Sequence, residues 1–424
     1  MNTNKELYLT FRNQIFEVLD AQAIVQMSKE ELVKQIQNAV DVLASNYHRP
    51  VSTAMRNLLV KNLVDELIGL GPLQPLIEDD TITDIMVNGA NHIFFERNGK
   101  LQHSDVVFVN EAQLLEIAQR IASRVGRRVD ESSPMVDARL EDGSRVNIVI
   151  KPIAIDGTTI SIRKFREHKI GLEELVTFGS LSPDMARVLM IAARCRLNIL
   201  ISGGTGSGKT TLLNALSNFI SEDERIVTIE DAAELKLQQP HVVRLETRTA
   251  SIENTGAVSQ RELVINSLRM RPDRIILGEC RGSEAFEMLQ AMNTGHDGSM
   301  STLHANTPRD AISRVESMVM MASLNQPLDA IRRTIISAVH LVVQVNRQRD
   351  GSRKITSLSE IVGLEGENVV MEELFRFQAS EGKPNENVRG KFVTQGIMQR
   401  SILMQRAAYY GLQDELVAAF RGQQ

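Results

Sequence analysis

The chain has no tryptophan, four tyrosines and two cysteines, Cys195 and Cys280, in 424 residues. Two cysteines cannot build a disulfide framework or an all-cysteine structural zinc site, and such scarcity fits a reducing compartment. Aromatic residues make up only 4%, so platforms for stacking single-stranded bases are not expected. Lys plus Arg number 48 against 53 Asp plus Glu, a formal charge of −5. That balance excludes nucleic-acid coating by bulk positive charge. Long apolar runs are missing too. The longest stretch free of Asp, Glu, Lys and Arg spans residues 334–346, well short of the ~20 apolar residues of a spanning helix. The first twenty residues contain acids and no apolar core followed by small residues, so no secretory signal is expected. The expectation is a cytoplasmic chain that meets a membrane only through partners or along its surface.

Hydrophobic residues at 42% and charged residues at 24% are ordinary for globular domains, and the length suits two or three of them. Residues 1–72 read as a helical bundle. Leu7, Phe11, Ile15 and Leu19 recur every four positions, and Ser28 with Glu31 forms a capping-box pattern. From 76 to 165 the period changes to short alternating runs at 82–88, 92–97, 101–108, 135–140, 145–151 and 158–165, with Asn98-Gly99 as a hairpin signal. This predicts an α+β domain with an antiparallel sheet. Residues 166–182 read as a linker with a short helix. From 183 to 424, buried β-branched runs at 197–202, 225–230 and 273–279 alternate with helical segments, which predicts a parallel sheet with crossovers. Beyond Val370 the chain is polar and weakly patterned, and reads as a tail.

One motif carries chemistry of high specificity. Gly203, Gly204, Thr205, Gly206, Ser207, Gly208, Lys209 and Thr210 fit G-x-x-x-x-G-K-[ST], after a buried strand and before a helix that continues through Thr211. Glycines let backbone N–H groups turn inward around phosphate oxygens, and the helix N-terminus favours anions. Lys209 can reach the β- and γ-phosphates, and the Thr210 hydroxyl can meet Mg²⁺. No N-K-x-D guanine signature and no separate LSGGQ-like element is present, which argues against a GTPase and a transporter-type ATPase.

Two acidic segments follow. Residues 229–234 hold Glu230, Asp231 and Glu234, and the apolar strand before Glu279 ends in that carboxylate. Carboxylates at the carboxyl ends of neighbouring strands point at bound phosphates and metal. The segment 294–307 adds His296 and His304. These are read as site residues or as satisfied structural histidines; a zinc pair is disfavoured because no further Cys or His lies close in sequence.

In this order the P-loop, the EDAAE box, the Glu279 strand and the GH…STLHAN box resemble the secretion and type IV pilus ATPase superfamily. With ITDIMVNG, LEDGSRVNIVIKP and TISIRKF, the resemblance is to the CpaF-type ATPases of Tad (Flp) pilus assembly. It implies an α/β fold, with a RecA-like P-loop domain preceded by a PAS-like α+β domain. It also implies a homo-hexamer that spends ATP with Mg²⁺ to move pilin through inner-membrane platform proteins. On that resemblance Lys209 and Thr210 match the phosphate and Mg²⁺ ligands, and Glu279 the Walker B acid that meets Mg²⁺ directly or through water. Glu234 matches the acid that polarises water, Glu230 and Asp231 complete its box, and His296 and His304 match the histidine box. Arg139, Arg145 and Arg163 match arginines that complete the nucleotide site. Two other classes stay open at this point, an ATP-binding switch that barely hydrolyses and a RecA-like DNA translocase. Three acidic and phosphate elements in one chain favour the motor.

Overall fold

The structure, a computed structural model, describes residues 2–18, 27–47, 50–140, 142–165, 170–248, 256–322, 326–380 and 387–421. Leu19 of the expected helical stripe, residues 166–169 of the expected linker and 422–424 of the tail lie outside that set. Two compact units result, Met1–Arg166 and Glu167–Gln424.

The first unit opens with helices Asn2–Val18, Lys29–Asn46 and Thr53–Ile68. Ser28 caps the second by accepting from Glu31 N, and Glu31 returns a carboxylate oxygen to Ser28 N at 2.9 Å. The stripe residues Leu7, Phe11 and Ile15 are buried against Leu32, Ile36, Val40, Leu59 and Leu63. An antiparallel sheet follows, in the order β3-β2-β1-β6-β5-β4. Its strands are β1 (Ile82–Asn88), β2 (Ile93–Arg97), β3 (Lys100–His103), β4 (Met135–Arg139), β5 (Arg145–Val149) and β6 (Thr159–Arg163). The amphipathic helix Glu111–Arg124 buries Leu114, Ile117 and Ile121 with Ile85, Val87, Ile148 and Ile160 of the sheet. The run expected as a strand over 101–108 leaves the ladder at His103. Ser104 Oγ accepts from Val106 N at 3.1 Å, and the chain turns to place Phe108 in the core, fully buried. A local hydroxyl turn and one deep aromatic outcompete continued edge pairing.

The second unit is a nine-stranded sheet in the order β15-β14-β13-β12-β7-β11-β10-β8-β9. Its parallel strands are β7 (Ile199–Gly203), β8 (Ile226–Glu230), β9 (Val242–Glu246), β10 (Arg274–Leu277), β11 (Met300–Leu303) and β12 (Leu341–Arg347). Antiparallel strands β13 (Arg353–Glu365), β14 (Asn368–Ala379) and β15 (Gly390–Thr394) extend it beyond β12. Every residue of β7, β8, β10 and β11 is buried, because helices cover both faces. Ile199, Ile201 and Val343 share one core with helices Pro183–Arg194, Lys209–Ser217, Ile402–Tyr409 and Gln413–Arg421. Leu200, Val227, Ile275 and Val342 share the other with helices Glu284–Asn293, Pro308–Ala322 and Leu328–Ala338.

The reading of residues beyond 370 as an unpatterned tail is corrected. They complete the sheet and supply Phe375, Leu403, Leu416 and Phe420 to the first core. Their alternation is diluted because β14 and β15 lie half-exposed at the sheet margin. Strand β9 was not expected at all, and it too is a half-exposed edge.

Candidate nucleotide site

Four strands bring the candidate residues to one edge. Parallel pairing aligns the carboxyl ends of β7, β11, β10 and β8 side by side. Lys209 follows β7, His304 follows β11, Glu279 follows β10, and Glu230 ends β8. The carboxyl edge of a parallel sheet is where a ligand meets loops and helix N-termini. The helix Lys209–Ser217 begins there, behind Gly208, whose φ of +101° sets its left-handed entry.

The charges at this edge are interlocked. Lys209 is buried, and its ammonium donates to the carbonyls of Gly203 and Gly204 at 3.0 and 2.9 Å. His304 Nε2 lies 3.0 Å from Glu279 Oε1 and 3.5 Å from Lys209 Nζ. Burial and the Lys209 charge hold the His304 imidazole below its ordinary range and outweigh the opposite pull of Glu279. At neutral pH the ring is therefore neutral, and the tautomer that fits donates from Nε2 to Glu279. Burial alone would raise the Glu279 carboxyl. The Arg281 hydrogen bond at 2.8 Å and its charge, with the Lys209 charge, hold it below the usual range, so it is ionised. Arg281 also reaches Asp231 at 3.3 Å. Thr302 Oγ1 donates to Gly278 O at 2.6 Å and Cys280 N to Thr302 O at 2.7 Å, which fixes Glu279 against β11.

Glu230 sits deeper, 3% exposed, and its Oε1 accepts from the backbone N–H groups of Glu234 and Leu235 at 2.8 and 2.9 Å. It thereby shapes the turn that carries Glu234, which is half-buried. A side chain at Gly278 would come within 2.8 Å of Glu230 Cγ, so glycine before Glu279 lets the two acidic segments pack together. Thr210 and Thr211 are half-buried in the first turn of the helix.

His296 is not brought to this edge. It precedes β11, and its Nδ1 lies 3.2 Å from Ala291 O. The four residues of β11 separate it from His304, roughly 13 Å at the rise of a strand. His296 and His304, both expected as site residues, thus lie at opposite ends of β11 within this chain. The His296 loop is pinned at the opposite edge, where Asn198 Oδ1 accepts from Gly298 N and Ser299 N.

The three candidate arginines belong to the first unit. Register places Asp84, Arg163, Arg145 and Arg139 in one row across β1, β6, β5 and β4. Arg163 Nε meets Asp84 Oδ1 at 3.1 Å, and Arg145 meets Asp137 at 3.2 Å. Asp84, Asp137, Arg145 and Arg163 line a cavity of 210 Å³ on that face. Like charges directly opposite one another destabilise a sheet, and Asp84 and Asp137 offset the repulsion between Arg163 and Arg145.

Several residues at the P-loop edge escaped the sequence reading. Arg281 follows Glu279 by two positions, a spacing that could have flagged it. Arg347 and Arg353 could not be flagged, since only pairing of β12 with β7 brings them near the loop. Mg²⁺ prefers oxygen ligands and keeps waters and phosphates in its shell. The ionised Glu279 carboxylate and the Thr210 hydroxyl fit that demand. Among the described residues no group of three or more His, Cys, Asp and Glu is placed to hold a metal by itself. No helix among them is long and apolar enough to cross a membrane.

Comparison with known proteins gives the family. The model of the Type II/IV secretion system protein family matches residues 66–389. A Mycobacterium tuberculosis protein named for conjugal transfer is 38% identical over 310 residues, covering 72% of this chain and 88% of its own. The type IV secretion system protein VirB11 of Bartonella henselae is 32% identical over 329 residues, covering 69% and 92%. Among solved structures, the VirB11 ATPase of Brucella suis is similar at 30% identity and a TM-score of 0.37, covering 68% of this chain and 95% of that one. The match to the family model over most of the chain, with the P-loop and its acids on one sheet edge, places the protein in the type II/IV secretion system family, among the secretion and pilus ATPases.

Proposed function

We propose that the protein is a Mg²⁺-dependent ATPase that powers assembly of a Tad-type pilus or a related secretion system. It works as a homo-hexamer on inner-membrane platform proteins, from the cytoplasmic side. Its second unit is the RecA-like motor domain, and the sheet of its first unit is the PAS-like domain. The observation that carries the reading is the row Lys209, His304, Glu279 and Glu230 on successive strand ends of one sheet.

The roles follow from position. The backbone of residues 203–210 wraps the phosphates, and Lys209 leaves the Gly203 and Gly204 carbonyls to meet the β- and γ-phosphates. Glu279 and Thr210 would hold Mg²⁺, which supplies charge neutralisation on the phosphate oxygens. Glu234 orients the attacking water. His304, a neutral donor to Glu279, exchanges that bond when γ-phosphate arrives and passes the change to the helix Pro308–Ala322. Arg139, Arg145 and Arg163 supply transition-state charge.

Phosphate release by the purified chain tests this. Lys209→Ala should lose roughly 100-fold or more in turnover, the usual effect of removing one preorganised charge contact. Glu279→Gln should bind ATP and fail to hydrolyse it. Near-normal turnover in both variants would reject the assignment.

A further inference from the structure

A second cation reaches the phosphate loop from outside the P-loop motif. β12 ends at Arg347 and β13 begins at Arg353. The turn between them is tightly organised. Gln348 N donates to Ser352 O at 2.7 Å and Gly351 N to Gln348 O at 3.0 Å. The Asp350 carboxylate accepts from Ser352 N, Ser352 Oγ and Val388 N at 3.0, 2.7 and 2.7 Å. β12 runs beside β7 up to the pair Val345 and Gly203, so the hairpin emerges next to the loop. There Arg353 Nε donates to the carbonyl of Gly206 at 2.8 Å.

This bond acts on one peptide plane. The C=O of residue 206 and the N–H of residue 207 point to opposite edges of a planar trans peptide. Arg353 holds the carbonyl edge. Ser207 N, on the other edge, faces back into the loop towards Gly204 O at 3.4 Å. Gly206 has φ of +67° and Gly208 of +101°, conformations that glycine enters and leaves at little cost. A loop of such residues needs an outside anchor to keep its N–H groups turned inward. A side chain built at Gly208 would come within 3.3 Å of Arg353 Cδ, so the arginine stem lies along the loop.

We propose that Arg353 is a positioning residue of the nucleotide site. Its guanidinium clasps the Gly206 carbonyl and orients the loop amides that cradle the diphosphate shared by ADP and ATP. The proposal rests on the reading of residues 203–210 as an ATP-binding loop.

Calorimetric titration of the full chain with ADP and with ATP, beside turnover and thermal melting, tests it. Arg353→Ala should weaken both nucleotides by ~10-fold or more, the scale of a charge-assisted hydrogen bond. Turnover at saturating ATP should fall less than affinity does. Arg353→Lys should recover part of the affinity, since an ammonium can reach the same carbonyl without the planar fork. Arg349→Ala removes an exposed arginine of the same turn and should change neither affinity. Loss of ATP affinity with ADP unchanged would overturn the proposal, because Arg353 would then touch the γ-phosphate itself. Equal weakening by Arg349→Ala would overturn it in favour of bulk charge. If Arg353→Ala does not fold, Arg353→Lys carries the test, and wild-type affinity for both nucleotides in that variant would overturn the proposal. Failure of the unaltered chain to bind either nucleotide would instead remove the ATPase reading, and the proposal with it.

Discussion

Glu230 is an acid placed where ionisation is costly. Burial pushes its carboxyl up from 4.5 to about 7, against the pull of the two backbone N–H groups it accepts. Its Oε2 has no hydrogen-bond partner among the described residues. The folded chain thus binds this proton more tightly than the unfolded chain. The resulting stability is fully present below pH 4.5 and is lost as pH rises to about 7. A shift of ~2.5 pH units corresponds to about 3 kcal/mol. Glu230→Gln keeps the carbonyl acceptor and cannot ionise. Without nucleotide it should melt above the unaltered chain at pH 8, and the advantage should vanish near pH 4. An equal difference at both pH values would show that the carboxyl does not titrate across this window.

At the scale of elements, Glu66 ties three helices together. It lies 1% exposed on the helix Thr53–Ile68. It accepts from Arg12 Nε at 2.7 Å, from Gln113 Nε2 at 2.8 Å and from the Tyr8 hydroxyl. Arg12 and Tyr8 come from the first helix, and Gln113 comes from the helix that covers the antiparallel sheet. The N-terminal helices and that sheet therefore share a buried polar centre. Removing one partner of a buried charge pair leaves the other uncompensated. Glu66→Ala should destabilise the first unit by roughly 3–5 kcal/mol, read from urea unfolding, and Glu66→Gln by less. A change under ~1 kcal/mol for Glu66→Ala would mean that Arg12 and Gln113 find water instead. The helices themselves were legible, because Leu7, Phe11 and Ile15 mark a face at helical spacing. Their common acid was not, since Tyr8 with Arg12, Glu66 and Gln113 belong to three helices far apart in sequence and no periodicity joins those helices.

At the scale of the whole molecule, the proposed motor depends on chemistry carried by two units. The phosphate loop and its acids lie in Glu167–Gln424, and the arginine row lies in Met1–Arg166. If the arginines act on nucleotide held by another copy, two inactive variants can complement each other. Arg163→Ala or Arg145→Ala should lower turnover while leaving ATP affinity less affected. Mixing either with Lys209→Ala should restore measurable turnover, because some sites then combine an intact loop with an intact arginine row. Mixtures no more active than the separate variants, or a fully active monomer, would rule out shared sites.

The P-loop, the two acidic segments, their order along the chain and the alternation that makes the second unit a parallel sheet can all be read along the chain. Those features are local: a phosphate loop needs contiguous glycines beside a lysine, and buried strands need contiguous apolar residues. Which residues meet depends on how the strands assemble. Strand order put His304 beside Glu279 and Lys209, and strand direction sent His296 to the opposite edge. Pairing of β12 with β7 carried Arg353 to Gly206, 147 positions away. Register between strands, which a single strand does not encode, aligned Arg139, Arg145 and Arg163. The residues beyond 370 were illegible for a related reason. Half-exposed strands at a sheet margin mix polar with apolar side chains, and their place in the core is set by the sheet they join.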